Sequence, residues 1–139
     1  IQNAKKEVFI STSALDFEDK SRVLVPAIQQ AIKNNVRVKI ALSGAPEKIK
    51  KITSKFNIKA STTTSEARLF ISDKQEALFM ITAENSDEEV GVWLNSQFFA
   101  NSLSLIVENN LKSGNANIKA LDLKPLAQEL KSKVASKAL

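Results

Sequence analysis

The stretch Glu66–Ile81, EARLFISDKQEALFMI, constrains the fold of this chain more than any other. Arg68, Leu69, Phe70, Ile71 and Ser72 form a strand, the polar residues Asp73, Lys74 and Gln75 reverse the chain, and Ala77, Leu78, Phe79, Met80 and Ile81 form the return. Both strands are nearly unbroken apolar runs instead of alternating ones, the pattern of strands covered on both faces. A hairpin of this kind belongs inside a sheet, with neighbours on both sides.

The rest of the chain supplies those neighbours. Ile1 to Lys6 reads as the end of a longer helix that feeds the strand Glu7–Thr12. Ser13 to Asp19 is a loop or helix start. Leu24, Ala27, Ile28, Ala31 and Ile32 then recur at helical spacing, with Pro26 near the beginning and Asn34 and Asn35 as the stop. Val36 to Leu42 is a second strand, Ser43 to Pro46 a turn, and Ile49, Ile52 and Phe56 line one face of a short helix. Lys48, Lys50, Lys51 and Lys55 lie outward on that helix, either as a solvated face or as contacts to phosphate. A short strand at Ile58–Ser61 completes two crossover units, so the first three strands are expected to be parallel.

After the hairpin come an acidic loop, Glu84 to Glu89, and a strand, Val90 to Leu94. Asn95 or Ser96 caps a helix that begins at Gln97 and buries Phe98, Phe99, Ser102, Leu103, Leu105 and Ile106. The expected fold over residues 1–111 is α/β, a mixed and largely parallel sheet covered by helices on both faces. Residues 112–121, with Gly114-Asn115, read as a linker, and 122–139 as a C-terminal amphipathic helix with the stripe Leu123, Leu126, Leu130 and Val134. That helix has too little apolar surface to stand alone and must dock on its own core, a sister chain or a partner.

Composition narrows the chemistry. A chain of 139 residues, 43% hydrophobic and 25% charged, builds one real core. No apolar run approaches the roughly 20 residues of a spanning helix, and the stretch from Ile1 does not show signal-peptide architecture; a cytoplasmic protein without membrane contact is expected. Ile1 in place of an initiator Met points to an excised piece of a longer protein. The chain has no cysteine and no histidine, which removes disulfides, thiolate chemistry, the commonest transition-metal ligand and the commonest general base; neither a metal site nor a cofactor is expected. Net charge is +5, of which +3 falls from Lys119 onward, so the core is nearly balanced and little DNA affinity of its own is expected.

Ligands of α/β sheets bind at the carboxyl ends of the parallel strands. There the chain places Ser11, Thr12 and Ser13 after the first strand, Ser43 and Gly44 after the second, and Ser61 to Thr64 after the third. A crevice rich in hydroxyls suits a neutral polyol such as a sugar, or an anion with Arg68 as counter-charge. Equally, Ser and Thr terminate strands and begin turns.

The hairpin is similar to the H-x-K-x4-D motif of the phospholipase D superfamily with its reactive residues replaced. Glu66 stands at the nucleophilic His, Arg68 at the Lys, and Asp73 keeps the Asp, while the Gly-Ser-x-Asn that follows in the superfamily falls on the non-matching Met80, Ile81 and Ala83. With GVWLNSQFF at 91–99, residues 1–111 resemble the middle, catalytically silent phospholipase D-like domain of TrmB-type regulators, archaeal sugar-responsive transcription factors. The resemblance implies an effector or oligomerisation module, a possible sugar effector, and DNA contact through a winged-helix domain missing from this chain. Glu66, Arg68 and Asp73 are expected as an ion-pair network at the old site. Trp93 is expected in the core or an interface. A homodimer is expected through Leu123, Leu126, Leu130 and Val134, with or without the surface around Phe98 and Phe99. The rivals are a diverged phosphodiesterase or nuclease, disfavoured by the missing imidazole pair, and a pure assembly domain without ligand.

Overall fold

Glu7–Ser13 forms strand β1, the axis of the sheet, in a computed structural model that describes residues 1, 3–84 and 86–112. Five of its residues in a row are buried, because helices cover both of its faces. The expected linker and tail helix, with Leu123, Leu126, Leu130 and Val134, lie outside the described residues.

Ser13 ends β1 and caps α1, Ala14–Asp19, its Oγ accepting the Asp16 N–H at 3.0 Å. After Lys20 the chain continues as α2, Ser21–Lys33, with Pro26 inside it. Asn35 then takes a left-handed φ of 63° that releases the chain into β2, Arg37–Ser43. Pro46 opens α3, Pro46–Phe56, at its first position, where a missing N–H costs nothing, and Asn57 closes it at φ 51°. The third strand, β3, is shorter and later than the sequence indicates, at Ser61–Thr62. Ile58 is buried ahead of it.

The hairpin follows as β4, Leu69–Ser72, and β5, Glu76–Met80. Asp73 and Lys74 both have positive φ, 53° and 52°, and the Gln75 N–H donates to the Ser72 carbonyl at 2.9 Å, the pattern of a type I′ turn whose twist suits a hairpin. Strand β6, Gly91–Asn95, and helix α4, Gln97–Lys112, complete the described chain. Ser96 Oγ caps α4 by accepting the Phe99 N–H at 3.2 Å.

The strand order is β3-β2-β1-β4-β5-β6. β1 pairs in parallel with β2, from Glu7 opposite Arg37 to Ser13 opposite Ser43, and β2 with β3. The pairs β1–β4, β4–β5 and β5–β6 are antiparallel. The sheet is therefore mixed, with parallel pairing confined to its first three strands, and not largely parallel. After β3 the chain turns through short connections, which permit only antiparallel neighbours.

Two cores result. Val8, Ile10 and Leu42 pack with Phe17, Ile28, Ile49 and Ile52 beneath α1, α2 and α3. On the other face Phe9, Ala41, Leu69, Ile71 and Ala77 pack with Phe99, Ala100, Leu103 and Val107 of α4. The stripe of α4 is rotated from the expected one. Residues 99, 100, 103 and 107 share a face at helical spacing, which turns Phe98 and Leu105, seven residues apart, outward.

The N-terminal segment also departs from expectation. Instead of closing a helix, the backbone N–H groups of Lys5, Lys6 and Glu7 donate to the Asp73 carboxylate at 2.9, 2.7 and 2.9 Å. The Asp73 N–H returns a bond to the Glu7 carbonyl at 2.8 Å, so this carboxylate replaces the carbonyls of a helical turn. No helix of the described residues is long and apolar enough to cross a membrane.

Candidate functional site

Arg68 enters β4 from the carboxyl end of β1 and is almost wholly buried, at 5% exposure. A buried guanidinium cannot shed its proton and must be matched by acceptors. Its Nη1 donates to Glu89 Oε1 at 2.8 Å and to Asp16 Oδ1 at 3.4 Å, and its Nη2 donates to the Thr82 carbonyl at 2.9 Å. Lys20 Nζ lies 2.8 Å from Asp16 Oδ1 and 3.3 Å from Glu89 Oε2. Two cations and two anions thus close a neutral ring.

Asp16 is at its centre. Short i+4 steps build that position: Thr12 Oγ1 at the end of β1 donates to Asp16 Oδ2 at 2.7 Å, and Lys20 follows one helical turn later. Burial works against the Asp16 charge, but the hydrogen bonds of Lys20 and Thr12 and the charges of Lys20 and Arg68 outweigh it and hold the carboxyl below its ordinary pKa. Burial likewise opposes the Lys20 ammonium, and Asp16 and then Glu89 outweigh it and raise its pKa. The Glu89 carboxyl is lowered, first by the hydrogen bond from Arg68 and then by Lys20. The shifts of Asp16, Lys20 and Glu89 each favour the charged form. The ring fixes charge; it is not set up to shuttle protons.

Beside it, Ser13 Oγ donates to Glu84 Oε1 at 2.7 Å, so the acidic loop places a second carboxylate on the same strand end. Ser11 Oγ reaches the Ala67 carbonyl at 3.4 Å. Ser43 stands opposite Ser13 in the strand register. The structure therefore gathers Ser11, Thr12, Ser13 and Arg68 at one sheet edge with Ser43 alongside. Among the described residues no three His, Cys, Asp or Glu side chains converge as a metal site needs.

The other motif positions lie elsewhere. Asp73 follows the far end of β4, five residues from Arg68 and on the order of 17 Å away along a strand. Glu66 is exposed. The expected Glu66–Arg68–Asp73 network is thus replaced by Asp16–Arg68–Glu89–Lys20, because a strand carries its two ends apart whatever their motif spacing. The Thr12, Asp16, Lys20 spacing was visible in the sequence as a signal for half of this ring. The sequence shows Glu84 to Glu89 only as an acidic loop, whereas Glu89 is a counter-ion to a buried charge.

Phe99 packs 5.8 Å from the Phe79 ring in the α4 core, so of the expected aromatic pair only Phe98, at 42% exposure, lies outward. Trp93 is not in the core: it is 58% exposed, beside Leu78. With Ile1, Leu24, Phe70 and Glu76, these two residues line an open groove of about 350 Å³ on the side of the sheet that carries α2.

The family model described as "Transcriptional regulator TrmB, EBD N-terminal subdomain" matches residues 1–106. No curated protein matches the chain. Among solved structures the fold is similar to that of TrmBL2, described as an archaeal chromatin protein with a novel mode of DNA binding, at a TM-score of 0.56 and 16% identity. The likeness covers 81% of this chain and 45% of that one, so this chain spans less than half of that protein.

Proposed function

The chain belongs to the family of TrmB transcriptional-regulator EBD N-terminal subdomains, and from that membership we propose that it is a non-catalytic effector-sensing and oligomerisation module. The observation that carries the reading is the neutral ring around buried Arg68. In the phospholipase D superfamily motif that the hairpin resembles, this position is a Lys two residues after the nucleophilic His. Here no imidazole exists in the chain and the cation is spent on Asp16, Glu89 and the Thr82 carbonyl. Phosphoryl chemistry requires a nucleophile and a proton-transfer partner, and this ring supplies neither. What it supplies is a pre-formed polar edge, lined by Ser11, Thr12, Ser13 and Ser43 and closed by two loop carboxylates, Glu84 and Glu89. A small hydroxylated effector such as a sugar would exchange hydrogen bonds with these groups and shift the loop. The parent regulator, a cytoplasmic protein, would contact DNA through a winged-helix domain and act as a homodimer. TrmBL2, described as a DNA-binding chromatin protein, supports the DNA partner.

The test is a thermal-shift and calorimetric survey of neutral sugars against the whole chain, repeated with Lys20→Ala and Glu89→Ala. A sugar that binds the parent and loses affinity in both variants supports the reading. Turnover of a generic phosphodiester that disappears in Glu66→Ala would overturn its non-catalytic part. A pure assembly domain is the second reading, favoured by the exposed apolar side chains Leu78 and Trp93 side by side on β5 and β6.

A further inference from the structure

Strand β6 is an edge of the sheet, and among the described residues nothing pairs with its outer side. Its hydrogen-bond phase follows from two bonds at its ends: the Ile81 N–H donates to the Val90 carbonyl at 2.9 Å, and the Ser96 N–H to the Gln75 carbonyl at 3.0 Å. Hydrogen-bonded pairs alternate in an antiparallel ladder. Val92 and Leu94 therefore turn their backbone groups toward β5, and Gly91, Trp93 and Asn95 turn theirs outward.

Native edges are blunted by charge, proline or bulges. Gly91-Val92-Trp93-Leu94-Asn95 has no charged residue and no proline, and its middle residue is the exposed Trp93. The opposite edge is different: β3 is two residues long, Ser61–Thr62, with Lys59 just before it. A head-to-tail pairing of β6 with β3 would thus be short, which disfavours an open filament and leaves a closed two-fold.

We infer that β6 is a self-association edge, pairing antiparallel with β6 of a second copy about a two-fold axis at Trp93. The register is self-complementary. Trp93 faces its own copy, Gly91 faces Asn95 and Asn95 faces Gly91, and all three are the residues with outward backbone groups. About six main-chain hydrogen bonds form across the axis, two for each such pair. Both indole rings stand on the face that carries Leu78, opposite α4, and cover each other and the groove beside Leu78. Gly91 lies on that face too. A Cβ there would lie 3.0 Å from Met80 Sδ and 3.2 Å from Leu78 Cδ1, so the position is already filled by its neighbours' side chains. A five-residue edge covers less than a standard interface, so dissociation is on the order of tens of micromolar. The inference rests on the oligomerisation part of the proposed function and not on the effector part.

The test is sedimentation velocity of residues 1–139 across a concentration series, with Trp93 fluorescence as an independent reporter, since it is the chain's one tryptophan. The parent chain should dimerise, with its emission shifting to shorter wavelength as dimer forms. Trp93→Lys sets two ammonium groups opposite each other at the axis and should weaken dimerisation at least tenfold, as a rough threshold. Trp93→Pro, which removes an outward N–H that β5 does not use, should do the same with an unchanged circular dichroism spectrum. Leu126→Asp with Leu130→Asp separates the routes. A dimer broken by the tail variant and untouched by Trp93→Lys sinks the edge pairing while leaving the oligomerisation reading intact. A parent chain that stays monomeric well above that concentration range sinks both.

Discussion

The two ends of the sheet differ in how much of them a helix reaches. β1, β2 and β4 lie between α1, α2 and α3 on one side and α4 on the other, and each contributes buried residues to both cores or packs against them. β5 and β6 have α4 over Ala77, Phe79 and Leu94, while Leu78 and Trp93 on the other face stand in the open. The apolar run of β5 is as continuous as that of β4. Continuity of apolar residues thus predicts two apolar faces and says nothing about whether the fold brings a second helix to cover them. Here α2 stops short, and the groove beside Trp93 is the space it leaves.

The largest effect should come from the doubly covered half. Ile10 is fully buried under α1 and α2, and Ile10→Ala should cost about 4 kcal/mol in denaturant unfolding, a lost side chain plus a cavity that close packing cannot collapse. A loss below about 1 kcal/mol would mean that the two halves are equally tolerant and that the contrast is false.

The charge ring comes next. Arg68→Met strands Asp16 beside one remaining cation, and each of Arg68→Met and Asp16→Leu should destabilise by about 3 kcal/mol. The double variant should lose distinctly less than the sum, because replacing both partners leaves one fewer uncompensated buried charge. Strict additivity in that cycle would show that the pair, 3.4 Å apart, is not coupled.

Asp73 ties the N-terminal segment to the hairpin, and Asp73→Ala should cost about 2 kcal/mol and speed amide exchange at Lys5, Lys6 and Glu7. Burial opposes the Asp73 charge, but the three backbone donors outweigh it and lower its pKa below the ordinary 3.8, as Lys20 and Thr12 do for Asp16. A carboxyl whose folded pKa is depressed contributes stability that is fully present above its unfolded pKa and lost as pH falls through the folded value. Stability should therefore fall below about pH 4, and Asp73→Asn should flatten that acid limb. An unchanged limb would assign the acid sensitivity to the ring carboxylates Asp16 and Glu89.

What the sequence made legible was local. Pro46 at the start of α3, Asn34 and Asn35 ending α2, Ser96 capping α4 and the Asp73–Gln75 reversal all depend on residues a few positions apart, and each stands close to where the sequence puts it. The partners of Arg68 were not legible, since Asp16 and Glu89 are 52 and 21 residues away and only the closed sheet brings them together. The mixed sheet and the rotated stripe of α4 fall in the same class. A helix with apolar residues on most sides, Phe98, Phe99, Leu103, Leu105 and Ile106, fixes its buried face by what it meets.

The smallest effect on folding should come from the open face, and it sharpens the contrast most. Leu78 is 36% exposed and Trp93 58%, so shortening either removes little area that folding had hidden. Leu78→Ala should cost under about 1 kcal/mol, and Trp93→Ser about 0.5 kcal/mol or less, in the monomer at low concentration. Phe79, one residue from Leu78, points to α4 and packs on Phe99, so Phe79→Ala should cost several times more, about 3 kcal/mol. Adjacent residues of one strand would then differ by the presence of a single helix above one of them. If Trp93→Ser instead destabilised the dilute monomer as much as Phe79→Ala, the groove would already be covered by another part of the same chain, and the edge of β6 would not be free to meet a second copy.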